Sequence, residues 1–239
     1  LVGGRNTDSR LYRIKYVGPS QKGAGKRLVA NQDLRDLRHS LEVFHGNPHA
    51  GNQAITMAWP HLSHSDRNVR YAARLAIENQ PVSLWQERVL REEDQRALIH
   101  ASIALCRHGG PSLSHRILKK LNQISFDSLA AEDQLALLRA YSLCFIRLGQ
   151  PAPELINVVI GNLDPFFPAD DEQVNTELCR VLSYLDAPLV VKKTISLMKT
   201  TETRTLDYDK EMLSRHEYGK EILKTMANTP NSQNIQYAY

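Results

Sequence analysis

The sequence predicts an all-α protein: a right-handed α-solenoid of about five helix pairs, preceded by a short N-terminal strand and a linker. Three observations carry this expectation. A helical frame led by Asp recurs along the chain, shorter apolar segments alternate with it, and Pro, Gly, Asn and Asp break the chain at short intervals between them.

The strand is expected at residues 10–17, RLYRIKYV, where basic or polar positions alternate with Leu11, Tyr12, Ile14, Tyr16 and Val17. The stretch after it, GPSQKGAGKR at 18–27, is rich in Gly, Lys and Pro and reads as an exposed linker. A single strand has nothing to pair with. Residues 1–30 are therefore expected to be a remnant of an adjoining domain plus linker, with a helical repeat domain over 31–239. The chain also starts without Met, which fits a segment of a longer protein.

The frame is clearest in DRNVRYAARLAI, where Asp66 is followed by Val69, Arg70, Ala73, Ala76 and Ile77. It recurs at Asp94, Ala97, Leu98, Ala101, Ala104 and Leu105, then at Asp133, Ala136, Leu137, Ala140, Leu143 and Cys144. Looser copies begin at Asp171 (Val174, Asn175, Leu178, Val181, Leu182) and at Asp33 (Asp36, Leu37, Ser40, Val43, Phe44). Frame positions four, eight, eleven and twelve share one face of a 3.6-residue helix, and Ala at two of them allows close approach of a neighbouring helix. The leading Asp suits a helix start, where free N–H groups and the positive end of the dipole both favour a carboxylate.

Shorter helices are expected between these, at about 51–61, 82–91, 112–124, 153–163 and 188–198, with a final long helix at about 210–227. Such pairs bury their apolar faces only against their neighbours, which describes a quasi-one-dimensional stack.

Net charge is +4 and unevenly placed. Residues 1–38 hold nine Lys or Arg against three Asp, a balance of +6, so everything after them sums to −2. A body that tracks a phosphate backbone is expected to carry a basic stripe, and this count argues against one. No apolar run reaches the ~20 residues of a membrane span. Cys106, Cys144 and Cys179 lie far apart within apolar helical patterns, so they read as buried thiols rather than a disulfide framework or a metal site.

DRNVRYAARLAI resembles the second helix of a HEAT repeat, in which Asp, Val-Arg, Ala and Ala-Leu recur at these spacings. The resemblance implies a structural role for Asp66 and Arg70 in hydrogen bonds between repeats. The other copies carry Leu98, Leu137 and Asn175 where Arg70 stands, so helix packing rather than a continuous ladder is expected to dominate. GGRNTDSRLYRIKYVG at 3–18 is similar to the closing strand of a β-propeller in large bacterial multidomain proteins. WPHLSHSDRNVRYAARLAIENQPVSLW at 59–85 resembles their repeat region. In that group a dehydrogenase-like propeller precedes HEAT repeats and a c-type cytochrome domain. The resemblance implies that this chain is the middle segment, that the redox parts lie outside it, and that the location is extracytoplasmic.

Several residues are candidates for chemistry. His61 and His64 with Asp66 could approach a metal, but the spacing matches no known zinc pattern and solvated turn histidines are expected. Trp59 and Trp85 could stack on a base or sugar; filling the seam between repeats is expected instead. Phe166 and Phe167, followed by Asp170, Asp171 and Glu172, read as a core plug followed by a helix start. The carboxylates of REED at 91–94 and DYDKE at 207–211 come with no partnered nucleophile.

No catalytic, cofactor-binding or metal residues are expected in this segment. Asp66, Val69, Arg70, Ala73, Ala76, Ile77, Asp94, Asp133 and Asp171 are expected to be structural repeat positions. The expected function is a non-catalytic scaffold or spacer contacting other proteins or adjoining domains within a larger redox protein. The alternative is a HEAT-like solenoid that binds nucleic acid.

Overall fold

The computed structural model describes residues 13, 15, 17, 18, 30–200, 213–227 and 231–238. Packing divides the chain between Asp33 and Leu34, and the architecture below is that of the unit beginning at Leu34. The described residues are all-α, with twelve α-helices and no strand among them. The strand expected over 10–17 lies largely outside the described residues, and Arg13, Lys15 and Val17, which are described, belong to no strand. Of the linker expected at 18–27, only Gly18 is described.

The helices are α1 Gln32–Glu42, α2 Asn52–Ala58, α3 Arg67–Glu78, α4 Gln86–Leu90, α5 Gln95–His108 and α6 Ser114–Leu121. They continue as α7 Ala131–Leu148, α8 Pro153–Leu163, α9 Glu172–Tyr184, α10 Val190–Thr200, α11 Glu217–Ala227 and α12 Ser232–Ala238. Short 3-10 turns extend the shorter helices: Trp59–His61 follows α2, Val82–Leu84 precedes α4 and Pro111–Leu113 precedes α6. The final long helix expected at 210–227 is interrupted: Leu213 and Ser214 are helical, Arg215 and His216 break the helix, α11 begins at Glu217, and 210–212 lie outside the described residues.

Local chemistry sets the starts of three of the long helices, α3, α5 and α9. The Asp66 carboxylate accepts from the backbone N–H groups of Asn68 (2.9 Å) and Val69 (3.0 Å), and Asp94 accepts from that of Ala97 (2.7 Å). Asp171 does the same for Gln173 (2.8 Å) and Val174 (2.9 Å). Each cap is worth about 1 kcal/mol. Asp133 behaves differently: α7 starts two residues earlier, with Ala130 at its cap position. Asp133 is buried in the first turn and accepts from Arg96 Nε at 2.9 and 3.0 Å. At the far end Gly149, with φ of +93°, takes the chain out of α7 through the left-handed region that favours glycine.

The long helices pack in chain order, α3 on α5, α5 on α7, and α7 on α9. Each has a shorter partner: α2 lies on α3, α4 on α5, α6 on α7 and α8 on α9, while α4 touches α6 and α6 touches α8. The frame supplies the contact surfaces. Ala73, Ala76, Ala101, Ala104 and Ala140 are all buried, so the long helices meet over small side chains. Ile77, Leu105 and Leu182 are fully enclosed beside them, each stabilising by roughly 1.5–3 kcal/mol. One continuous apolar cluster joins these helices. No helix among the described residues is long and apolar enough to cross a membrane.

Candidate functional site

Arg70 is 2% exposed. A buried guanidinium is tolerated only where its N–H groups find acceptors. Nη1 donates to the carbonyl oxygens of His64 (2.6 Å) and Ser65 (2.8 Å), which ties the loop entering α3 to the helix. Asn175, at the matching position of α9, makes the equivalent clamp: its Nδ2 donates to the Ala169 carbonyl at 2.6 Å, and its Oδ1 accepts from the Ala169 N–H at 2.6 Å. Leu98 and Leu137, at the same position of α5 and α7, are buried apolar residues. Position five of the frame is therefore a loop clamp where it is polar and core where it is not.

The Nη2 of Arg70 reaches past α5 to the carboxylate of Glu132 in the first turn of α7. This bond closes one side of a cavity of about 500 Å³ lined by Arg67, Asn68, Arg70, Tyr71 and Arg74 of α3, His100 of α5, and Glu132 and Ala136 of α7. Helix periodicity places Arg67, Arg70, Tyr71 and Arg74 on one face of α3.

The cavity is electropositive at one wall. The Arg74 guanidinium lies over the Tyr71 ring, 5.2 Å from its centroid, and its Nε is 3.2 Å from buried Glu78. Glu78 is shared with Arg107 at 3.2 Å and His108 at 3.4 Å. Burial pushes the Arg74 pKa down, Glu78 pulls it back up, and Arg107 and Arg139 push it down further. Burial lowers the His100 pKa to about 4, with Arg70 and Arg74 adding to the effect. His100 is thus a neutral imidazole at pH 7, and its buried Nε2 has no hydrogen-bond partner.

The three helices around the cavity hold seven arginines, no lysine and three acids, Glu78, Glu132 and Asp133. Their balance of +4 within a body summing to −2 is hidden by a whole-body count. Arginine is the residue suited to paired recognition of carboxylate or phosphate, lysine less so. The all-arginine composition of the frame-bearing helices was the signal in the sequence that could have located this site.

The other candidates fall elsewhere. His61 and His64 have ring centroids 6.0 Å apart, but His64 Nδ1 accepts from the Asp66 N–H at 3.0 Å, and Asp66 is engaged as a cap. Burial, then His64, lowers the His61 pKa. The described residues include no cluster of three or more His, Cys, Asp or Glu arranged to hold a metal. Trp59 is buried, donates to Glu92 at 2.6 Å and lies under the Arg88 guanidinium at 4.4 Å. Trp85 is fully buried and donates to the Gln80 carbonyl at 3.1 Å. Phe167 is buried and Phe166 packs on Phe126, with centroids 5.4 Å apart. Cys106, Cys144 and Cys179 are free and buried. Of the DYDKE carboxylates, all lie outside the described residues.

Comparison of the chain with protein-family models, with curated proteins and with solved structures returned no match.

Proposed function

We propose that the helical part of this chain is a HEAT-like, right-handed α-solenoid that serves as a non-catalytic scaffold and spacer. In this reading it makes protein–protein or interdomain contacts within a larger redox protein that joins a dehydrogenase-like propeller to a c-type cytochrome domain. The observation that carries it is the order of packing. Each long helix touches the long helix before it and the one after it, and the short helices α4, α6 and α8 touch in the same order. A stack built this way leaves one exposed edge per helix for a partner while the core stays unchanged. The redox context rests on the resemblance of residues 3–18 and 59–85 alone.

Two measurements test it. Small-angle scattering from the intact chain is expected to give a skewed distance distribution with a long tail, and a symmetric compact profile would contradict the solenoid. Visible absorbance and metal analysis of folded, purified chain test the non-catalytic assignment, since a bound haem, quinone or stoichiometric metal would make the segment a cofactor carrier in its own right.

A further inference from the structure

We propose that the cavity between α3, α5 and α7 binds a carboxylate from an acidic segment of a protein partner, which takes the place of Glu132 on Arg70. The Arg70–Glu132 pair is asymmetric. Arg70 is held by packing and by two carbonyl oxygens, whereas the Glu132 side chain is 58% exposed. Losing its acid would strand a buried guanidinium, which is unfavourable. Glu132, being exposed, can rotate into water at little cost to itself provided that another carboxylate takes its seat on Arg70. It therefore acts as a placeholder, and its position shows that a carboxylate fits the seat.

Replacing one carboxylate by another on Arg70 is close to neutral, so net affinity has to come from groups that now lack an acid. Arg67 and Arg139 are exposed and have no partner among the described residues. Arg67 lines the cavity, and Arg139 is near enough to push down the pKa of Arg74. The Tyr71 ring, 55% exposed, and Ala136 supply an apolar wall for the aliphatic stem of an acidic side chain. At about 500 Å³ the cavity has room for more than one side chain.

A nucleic-acid strand fits these observations less well. A phosphate backbone needs cations repeated along its path, and several of the arginines near the cavity are already engaged. Arg96 is held by Asp133, Arg107 by Glu78 and Arg116 by Glu87. At the cavity the unmatched cations are Arg67 and Arg139, a local pair rather than a continuous track.

The proposal rests on the scaffold reading only in taking the ligand to be a protein segment. Its test is fluorescence anisotropy of the intact chain with three labelled probes: a ten-residue peptide alternating Glu and Leu, the same peptide with Gln for Glu, and a ten-nucleotide oligo-dT. The acidic peptide is expected to bind and the Gln peptide to bind far more weakly. Glu132→Gln, by removing the competing charge, should tighten peptide binding on the order of fivefold, and Arg67→Gln with Arg139→Gln should weaken it on the order of tenfold. Both variants alter exposed side chains, and circular dichroism verifies their folding. The idea fails if the acidic peptide does not bind, if Glu132→Gln leaves affinity unchanged or lowers it, or if oligo-dT binds in preference. Scattering is unaffected by any of these results, so loss of the pocket and loss of the scaffold reading are separable.

Discussion

Arg70 is the residue on which fold and site meet. Its Nη1 holds the loop into α3, and its Nη2 faces the cavity. Replacing it with Leu, the residue found at 98 and 137, should preserve packing but leave the His64 and Ser65 carbonyls with weaker partners. The expected loss is about 1–3 kcal/mol, read as a lower urea midpoint at constant slope, and an unchanged midpoint would remove the clamp. Asn175→Leu should act in the same direction for the same reason. His100 makes a second prediction. Its folded-state pKa of about 4 lies below the ordinary 6.5, so between these values the unfolded chain binds the proton and the folded chain does not. Stability is therefore fully present above pH 6.5 and falls as pH drops toward 4, by about 3 kcal/mol at most. His100→Gln should flatten that part of the stability–pH curve, and an unaltered slope would show that His100 does not carry it.

At the scale of the element, the frame located α3, α5 and α9 well because capping and apolar spacing are local, whereas in its Asp33 copy the Asp lies inside α1 and Asp36 and Val43 are exposed. Asp66, Asp94 and Asp171 each sit at the cap position of a helix. Asp133 shows where local reading stops. The AAEDQ stretch offers two acids in the first turn, and which one is buried depends on Arg96, 37 residues earlier. No periodicity within α7 contains that information. The pair makes a direct prediction: in a double-mutant cycle of Asp133→Ala and Arg96→Ala, a coupling of about 1 kcal/mol is expected, since the pair is partly buried and joined by three hydrogen bonds. Asp94→Ala, which removes a cap, should lower stability by about 1 kcal/mol without coupling to Asp133. Zero coupling in the first cycle would mean that Asp133 is held by its own helix. The cavity was even less legible. Arg70 stood out in the sequence, but Tyr71, Arg74, His100 and Glu132 become neighbours only when three helices stack, and the whole-body charge count concealed their segregation.

At the scale of the whole molecule, the question is whether stability is shared by all the helices or passed between neighbours. α3, α5, α7 and α9 meet in sequence, and one apolar cluster runs through them all. In a stack of this kind the free energy is a sum of helix-pair and nearest-interface contributions, so damage at one end should weaken the far end little. Leu178 on α9 is fully buried, and Leu178→Ala should cost about 2–5 kcal/mol locally. Native-state hydrogen exchange reports this separately for each helix. The expected pattern is a large loss of protection in α8, α9 and α10, a smaller one in α7, and near-unchanged protection of Val69 to Ile77 in α3. Equal losses throughout would indicate a single cooperative unit, in which the Arg70–Glu132 bridge across α5 and the continuous core bind distant helices together. The Arg70→Leu variant separates these cases further, because in the stacked arrangement it should loosen α3 and leave α9 protected, which is the mirror image of the Leu178→Ala result.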